Sequence, residues 1–192
     1  MYQVSIKATL QESIAVKASI LNDPSLIQKI SEVTTLLIET FQQNGKVLFC
    51  GNGGSAADAQ HLAAEFSGRF YKDRQPLPSE ALHVNTSYLT AVANDYGFEH
   101  VYSRMIKGIG KSGDVLIGLS TSGNSQNIIQ AFRVARSMGM ICVGFTGQTG
   151  GLLAAESDIL LNIPSNDTPR IQESHITVGH ILCELVEKAL FP

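Results

Sequence analysis

The sequence predicts an α/β fold of the doubly wound type, preceded by two extra helices. Three observations support this fold class: five short apolar runs typical of buried strands, helical patterns between them, and strand-turn-helix junctions of the kind that connect parallel strands. A chain of 192 residues, of which 44% are hydrophobic and 16% charged, is long enough for one domain with a full core. We therefore expect a single domain over residues 1–192.

The first 44 residues predict a pair of helices. Apolar residues recur at three- and four-residue spacing over 6–21, an Asn-Asp-Pro segment at 22–24 interrupts the pattern, and a second helical periodicity covers 26–41. The end of the chain carries another long apolar stripe, which exceeds what one face of a sheet needs. We therefore expect residues 1–44 to take part in a helical interface between subunits.

The run at 47–50 predicts a buried strand because it is apolar, β-prone and bounded by glycines. In the turn that follows, Gly53 and Gly54 permit backbone angles closed to other residues, and Ser55 is expected to cap the next helix. Ala56 occupies the third glycine position of a dinucleotide loop, and the Gly-Lys-Ser/Thr ending of a P-loop is absent. The turn is thus either a phosphate cradle of another kind or a tight turn without a ligand.

The helix after this turn carries titratable side chains on one face. His61 and Glu65 stand four residues apart, so their side chains can reach one point. Arg69 follows one turn later. A histidine, a carboxylate and a phosphate cradle on one helix indicate a site, whereas each of them alone would be weak evidence.

The middle of the chain leads to a second strand-turn-helix unit. Residues 71–79 are polar and contain two prolines, which predicts a surface loop. Residues 81–84 are a candidate strand, and helical patterns cover 89–94 and 98–109, with a break at 95–97.

Residues 114–119 predict a buried strand that runs into a turn at 120–125 rich in hydroxyl groups, before a helix over 126–138. Hydroxyl and backbone donors at a helix N-terminus suit phosphate oxygens, although a well-capped helix would explain the same residues. Because parallel strands present their carboxyl ends at one edge of the sheet, where ligands of doubly wound folds bind, we expect both turns at that edge.

The last elements repeat the alternation. Strands are predicted at 141–145 and 159–163, with a short helical segment between them, and Pro169 fits the first turn of a long final helix. Gln172 and His180 lie on this helix, eight residues apart. That separation is about 12 Å of rise, so spacing alone does not pair these two side chains.

Composition excludes several classes of protein. A net charge of −3 without a basic cluster argues against direct nucleic-acid binding. No stretch approaches the roughly 18 apolar residues that span a bilayer, and the first residues lack the apolar core of a signal peptide, so we expect a soluble cytoplasmic protein without a membrane partner. Cys50, Cys142 and Cys183 are odd in number and have apolar neighbours, which predicts buried free thiols.

Over essentially its whole length, the sequence resembles the sugar-isomerase (SIS) family of phosphosugar-binding domains. The resemblance rests on CGNGGSAADAQHLAAEFSGR at 50–69, AVANDYGFEHVYSR at 91–104, DVLIGLSTSGNS at 114–125 and RIQESHITVGHILCELVE at 170–187. The serine-rich turn identifies only the superfamily; the set of His61, Glu65, Gln172 and His180 is more specific. The resemblance implies a five-stranded parallel sheet flanked by helices, a homotetramer with sites at subunit contacts, and one zinc ion per subunit.

The resemblance also implies roles for individual residues. The implied substrate contacts are Asn52, Gly53, Gly54, Ser55, Glu65, Asn94, Asp95, Ser120, Thr121, Ser122, Ser125 and Gln172. The implied zinc ligands are His61, Glu65, Gln172 and His180. Glu65 and His180 are the implied catalytic pair. Pro169 departs from the family pattern, in which alanine or aspartate often precedes Arg-Ile-Gln, and Asp167 is the nearby carboxylate that could replace such a contact.

The implied activity is an aldose–ketose isomerisation that converts sedoheptulose 7-phosphate to D-glycero-D-manno-heptose 7-phosphate, the first step towards ADP-heptose and the lipopolysaccharide core. Such a reaction needs a base and an acid beside the carbonyl carbon, and an environment that stabilises an enediolate. A non-enzymatic paralogue that binds the replication initiator protein is the alternative, and a phosphosugar-sensing regulatory domain is a third interpretation. Glu65 discriminates between the first two, because the paralogue lacks that carboxylate.

Overall fold

A five-stranded, all-parallel sheet lies at the centre of the computed structural model, which describes residues 2–192. The strands are β1 (Val47–Gly51), β2 (Ser79–Ala81), β3 (Val115–Ser120), β4 (Ile141–Thr146) and β5 (Ile159–Asn162). Their order across the sheet is β2-β1-β3-β4-β5. After β2 the chain crosses back to the other side of β1 and forms β3. Ligands of open α/β sheets bind in the crevice at such a reversal, which here lies between the carboxyl ends of β1 and β3. The predicted fold class is confirmed.

Helices cover both faces of the sheet. They are α1 (Tyr2–Leu21), α2 (Pro24–Gln42), α3 (Gly54–Ser67), α4 (Thr86–Tyr96), α5 (Val101–Ile109), α6 (Gln126–Ser137) and α7 (Thr168–Leu190), with short 3-10 helices at Phe98–His100 and Gly151–Glu156. The start of α2 shows how local sequence sets these bounds. The Asp23 side chain accepts hydrogen bonds from the N–H groups of Ser25 (2.9 Å) and Leu26 (3.0 Å), and Pro24 occupies the first turn.

Two apolar layers result from the alternation of side chains along the strands. On β1, Val47 and Phe49 point to the layer formed by α2, α3 and α7. Leu48 and Cys50 point to the opposite layer, formed by α4, α5 and α6. The two helices that carry the candidate catalytic residues, α3 and α7, therefore lie side by side on the same face.

Close contact between α3 and α7 depends on a glycine. A Cβ atom at Gly179 would lie 2.5 Å from the Cδ atoms of Leu62, so a larger residue would force Leu62 or one of the helices to shift. Leu62 follows His61 in the sequence, and Gly179 precedes His180. The close approach at this point brings the two histidines together.

Helix α1 is apolar but packs little against the rest of the chain. Ile20 is its only buried residue within the described part of the protein. Tyr2 is 81% exposed, and Val4, Ile6, Leu10, Ile14 and Leu21 are exposed as well. One polar contact near its middle is the hydrogen bond from the Arg170 guanidinium of α7 to the Thr9 carbonyl (3.1 Å).

Two local predictions were wrong, and a third holds only in part. The strand expected at 81–84 is β2 at Ser79–Ala81, because the ladder with β1 already begins where the Val47 N–H donates to the Pro78 carbonyl (3.0 Å). The helix expected to end at 94 continues to Tyr96, and the break is Gly97, whose φ of 95° suits glycine. The segment at 71–79 is a loop, but it is not wholly a surface loop, since Arg74 and Leu77 are buried within it.

Among residues 2–192, no helix is long and apolar enough to cross a membrane. Cys50, Cys142 and Cys183 are buried and free, as predicted. Burial raises the pKa of the Cys142 thiol to about 12, and the other two thiols shift in the same direction for the same reason. These cysteines are therefore core residues without a reactive thiolate.

Candidate active site

A glycine turn at 51–54 connects β1 to α3 at the carboxyl edge of the sheet. A Cβ at Gly51 would lie 2.3 Å from the Ser55 carbonyl oxygen, and Gly53 has φ 56° and ψ −123°. Other residues rarely adopt such angles. The predicted Ser55 cap is wrong: Gly53 occupies the cap position, and Ser55 is buried in the first turn of α3 with its N–H donating to the Asn52 carbonyl (3.1 Å).

A serine turn at 120–125 connects β3 to α6 at the same edge. The hydroxyls of Ser120 and Ser125 are hydrogen-bonded to each other (3.0 Å), and Ser122 Oγ accepts from the Asn124 N–H (3.2 Å). Ser120 is buried, Thr121 and Ser125 are half-buried, and Ser122 is exposed. The first N–H groups of α6 have no partner within the helix, so they and the outer hydroxyls can bind an anion.

Two asparagines join the turns. The Asn52 amide donates to Asn127 Oδ1 (2.9 Å), and the Asn127 amide donates to Asn52 Oδ1 (2.8 Å). This pair fixes the glycine turn relative to α6. The sequence analysis missed Asn127, since the two residues are 75 positions apart and no local pattern connects them.

His61, Glu65 and His180 form a cluster between α3 and α7. The Nε2 atom of His61 lies 3.1 Å from Glu65 Oε1 and 3.0 Å from His180 Nε2. One donor atom from each residue lies within 4.8 Å of the others. The predicted convergence of His61 and Glu65 is confirmed, and His180 reaches them from the same chain.

The donor set of this cluster fits a transition-metal ion. Two imidazole nitrogens and a carboxylate oxygen are ligand types that zinc prefers, and structural or catalytic zinc sites use three or four such groups. The His61 side chain is 51% exposed and that of Glu65 is 22% exposed, so the cluster opens to the surface of the chain. An ion or a substrate can reach it from there.

Gln172 lies at the other end of the α3–α7 contact. A Cβ at Gly54 would lie 2.7 Å from Gln172 Nε2 and 3.0 Å from its Oε1. The helices run in the same direction, so Gln172 meets the start of α3 while His180 meets its third turn, about 12 Å further along. The structure thus places Gln172 beside the glycine turn, and its role as a zinc ligand stays a prediction.

Asp58 is a second residue that the sequence analysis missed. It lies on α3, one turn before His61, and within residues 2–192 its buried Oδ2 atom has no hydrogen-bond partner. Burial raises the pKa of the Asp58 carboxyl, while the nearby His61 acts in the opposite direction. A single aspartate in an alanine-rich helix gives no spacing signal. Only the three-dimensional structure shows that Asp58 has a buried, unpartnered oxygen close to His61.

Asn94 and Asp95 are exposed in the last turn of α4, where the Asn94 amide donates to Asp95 Oδ1 (2.9 Å). Within the described chain, neither is hydrogen-bonded to either turn, so their predicted contact with substrate stays a prediction. Asp167 occupies the cap position of α7 and Pro169 its first turn. His175 is not part of the site: it is fully buried, Nε2 lies 3.1 Å from the Thr146 carbonyl, and burial lowers its pKa to about 4.

A polar cavity of about 270 Å³ opens beside the serine turn. It lies between that turn, the loop after β4 and the start of α7. Its lining residues are Thr121, Ser122, Asn124, Gln148, Thr149, Asn166, Thr168 and Ile171. The volume is close to the lower end of the range for small-molecule sites, about 300 Å³.

The family model of the SIS domain matches residues 12–147. Phosphoheptose isomerase from Aneurinibacillus thermoaerophilus is 55% identical over 97% of this chain and 94% of that protein, and the enzyme of the same name from Clostridium acetobutylicum is 50% identical over 97% and 95%. The structure of phosphoheptose isomerase from Neisseria gonorrhoeae superposes with a TM-score of 0.92 at 42% identity, covering 98% of this chain and 100% of that one. The chain belongs to the SIS-domain family and, within it, to the phosphoheptose isomerases.

Proposed function

We propose that the chain is an aldose–ketose isomerase that interconverts sedoheptulose 7-phosphate and D-glycero-D-manno-heptose 7-phosphate. The observation that carries this proposal is the convergence of Glu65 and His180 between α3 and α7. A carboxylate and an imidazole at one point supply the base and the acid of an enediolate mechanism. Relatives at 50% identity or more carry the corresponding name.

The serine turn binds the phosphate in this proposal. The hydroxyls of Thr121, Ser122 and Ser125 and the first N–H groups of α6 donate hydrogen bonds to the phosphate oxygens. Bonds to a charged acceptor are the stronger kind, so this turn supplies most of the affinity and fixes one end of the sugar. The other end of the sugar then extends towards α3 and α7, where Gln172 lies against Gly54.

Glu65 and His180 move the protons. Glu65 removes a proton from the carbon next to the ketone, which leaves the electron pair in an enediolate, and returns a proton to the former carbonyl carbon. His180 takes the proton of the neighbouring hydroxyl and gives one to the former carbonyl oxygen. The substrate and the product have the same composition, so no oxidant or other reactant is needed.

We propose that His61, Glu65 and His180 hold one zinc ion per subunit. Gln172, the further ligand that the family resemblance implies, lies beside Gly54 in the same chain, so it would have to come from a second subunit. When bound, zinc would supply Lewis-acid polarisation of the substrate carbonyl. A carboxylate that binds a cation is less basic. With zinc bound, Glu65 would therefore have to serve both as a ligand and as the base.

We further propose a homotetramer with its sites at subunit contacts. The apolar face of α1, with Ile6, Leu10 and Ile14 exposed, is available for a second copy of the chain, and the cluster around His61 opens at the surface of α3 and α7. A cytoplasmic location and a place in ADP-heptose and lipopolysaccharide core synthesis complete the proposal, as the resemblance implies.

Turnover of sedoheptulose 7-phosphate by the purified protein tests the proposed function. We expect a mixture of ketose and aldose phosphates at equilibrium, measured by NMR or chromatography. Absence of turnover in the presence of added zinc would contradict the proposal. No feature of the described residues favours the alternative, a protein that binds the replication initiator: Glu65, which distinguishes the enzyme, lies in the cluster.

A further inference from the structure

A buried ion pair lies at the far end of the contact between α3 and α7. Arg74 Nε donates to Glu187 Oε2 (3.1 Å), and the side chains are 3% and 2% exposed. The Glu187 carboxylate also accepts the backbone N–H groups of Phe70 (3.1 Å), Tyr71 (2.9 Å) and Lys72 (3.0 Å). Burial opposes ionisation of Glu187, but these donors and Arg74 outweigh it and lower the pKa of its carboxyl. Glu187 is therefore a buried, fully hydrogen-bonded anion.

Arg74 directs most of its remaining hydrogen bonds to the end of α3, and Nη1 also donates to the Gln75 carbonyl (3.1 Å). Nη2 donates to the Glu65 carbonyl (2.9 Å), and Nη1 donates to the Phe66 carbonyl (2.7 Å) and, more weakly, to Gly68 (3.3 Å). A helix C-terminus leaves such carbonyl groups without partners inside the helix; the Phe66 carbonyl also accepts the Leu77 N–H (3.0 Å). One guanidinium thus holds the backbone of Glu65, the candidate base.

The acidic partner is fixed to the helix of the candidate acid. Glu187 follows His180 by seven residues on α7, which is about two turns, so both side chains lie on the same side of the helix. Phe70, whose N–H donates to Glu187, has its ring 5.7 Å from the ring of His180. The ion pair therefore connects the backbone of Glu65 to α7 and to a side chain beside His180.

We propose that Arg74 and Glu187 are positioning residues, which hold α3 and α7 in the register that brings Glu65 and His61 to His180. A buried ion pair is often no more stabilising than apolar residues of the same size, so stability alone does not explain the pair. Its hydrogen bonds instead end on the backbone of α3 and on the loop that contacts His180. This inference rests on the proposed function for its catalytic consequence.

A second buried carboxylate offers a matched control. Asp114, at the amino edge of the sheet, is 3% exposed; it accepts the N–H groups of Lys46 (3.0 Å) and Lys111 (2.8 Å) and pairs with Lys46 Nζ (2.5 Å). Its chemistry is similar to that of Glu187, but its hydrogen bonds go to Lys46 and Lys111, and within the described residues none goes to α3 or α7. Neutralising Asp114 should therefore weaken the fold without altering the site.

The experiment compares Glu187→Gln with Asp114→Asn. For each variant, kcat and KM for sedoheptulose 7-phosphate, the thermal midpoint, and the zinc dissociation constant from chelator competition are measured. For Glu187→Gln we expect kcat to fall by about tenfold or more with KM within about threefold, because small displacements of reacting groups are costly. Zinc affinity should fall by about tenfold, as when groups that support metal ligands are lost. Asp114→Asn should lower the thermal midpoint while kcat and zinc affinity stay within about twofold.

A Glu187→Gln protein that behaves like Asp114→Asn would overturn the proposal. If Glu187→Gln does not fold, Arg74→Lys serves instead, since it keeps the charge but cannot bond Glu187 and two carbonyls together; wild-type kcat and zinc affinity in that variant would also overturn it. If the wild-type chain does not isomerise the sugar phosphate, the proposed function fails, and the zinc measurement alone decides the positioning role. A wild-type chain that neither turns over nor binds zinc overturns both.

Discussion

The glycine turn and the serine turn occupy equivalent places in the fold but differ in what they offer a ligand. Each follows a buried strand and opens a helix at the carboxyl edge, and Asn52 and Asn127 connect them. The glycine turn has few side chains, which lets the Gln172 amide approach Gly54, and its reactive groups lie further along α3. The serine turn carries hydroxyls at the helix start itself. In the proposed function, two turns at equivalent places in the fold thus lead to chemistry in one case and to phosphate recognition in the other.

The largest effect is expected from Glu65→Gln, which keeps the shape of the side chain but removes the proposed base on the helix after the glycine turn. We expect kcat to fall by at least about a hundredfold, within the range for the loss of general base catalysis. Binding of sedoheptulose 7-phosphate, measured by calorimetry, should change little because the serine turn is intact. A substantial remaining kcat would show that Glu65 is not the base.

Removal of the metal also tests the proposed chemistry at His61, Glu65 and His180. Exhaustive chelation should lower activity by at least about tenfold and zinc should restore it, since the cluster would lose its electrophile. His61→Ala should have the same effect, and His180→Ala should stay impaired even with saturating zinc. His100→Ala is the control, because this half-exposed histidine also lies near a glutamate, Glu99 (3.9 Å). Full activity with less than about a tenth of an equivalent of zinc, confirmed by metal analysis, would leave a metal-free acid–base pair.

Ser125→Ala or Ser122→Ala should weaken the binding of phosphorylated substrate by about 1.5–3 kcal/mol, the range for a hydrogen bond to a charged group. The thermal midpoint should hardly move. Ser137→Ala is a matched control at the other end of α6, where the hydroxyl donates only to the Val134 carbonyl (2.7 Å). An equal loss of affinity for a non-phosphorylated sugar would mean that the serine turn is not the phosphate site.

The smallest effect is expected from Gly54→Ala. The new methyl group would meet the end of the Gln172 side chain, which can move, so the fold should survive. We expect KM to rise by about fivefold, equivalent to one lost hydrogen bond of about 1 kcal/mol. Gly108→Ala, on α5 with open space around it, should leave KM unchanged and slightly stabilise the helix. Wild-type KM in Gly54→Ala would remove Gln172 from the list of substrate contacts.

Local sequence patterns predicted most of the fold, but only the His61–Glu65 part of the cluster. Four of the five strands, both turns and the pair at His61 and Glu65 follow from periodicity and spacing, which act over a few residues. The approach of His180 does not, because it depends on Gly179 packing against Leu62 from a distant helix. Spacing rules contain no information about such contacts.

Buried polar residues in loops were the least predictable part. Arg74 lies in a segment with two prolines and several polar residues, which is typical of a surface loop. It is buried because Glu187, 113 residues away, and the end of α3 together satisfy its donors. Only the tertiary structure brings these partners together. The composition of the segment therefore predicted an exposed side chain at Arg74, whereas the side chain is buried.

The exposed face of α1 has a thermodynamic consequence. An isolated helix of this length gains little from hydrogen bonds alone and depends on packing for its stability. Within the described chain α1 buries only Ile20, so most of its packing must come from whatever covers its apolar face. If that cover is a second copy of the chain, folding of α1 and assembly share one equilibrium, and mass action makes the thermal midpoint rise with protein concentration. Dilution would then melt α1 before the sheet, whose core is complete within one chain.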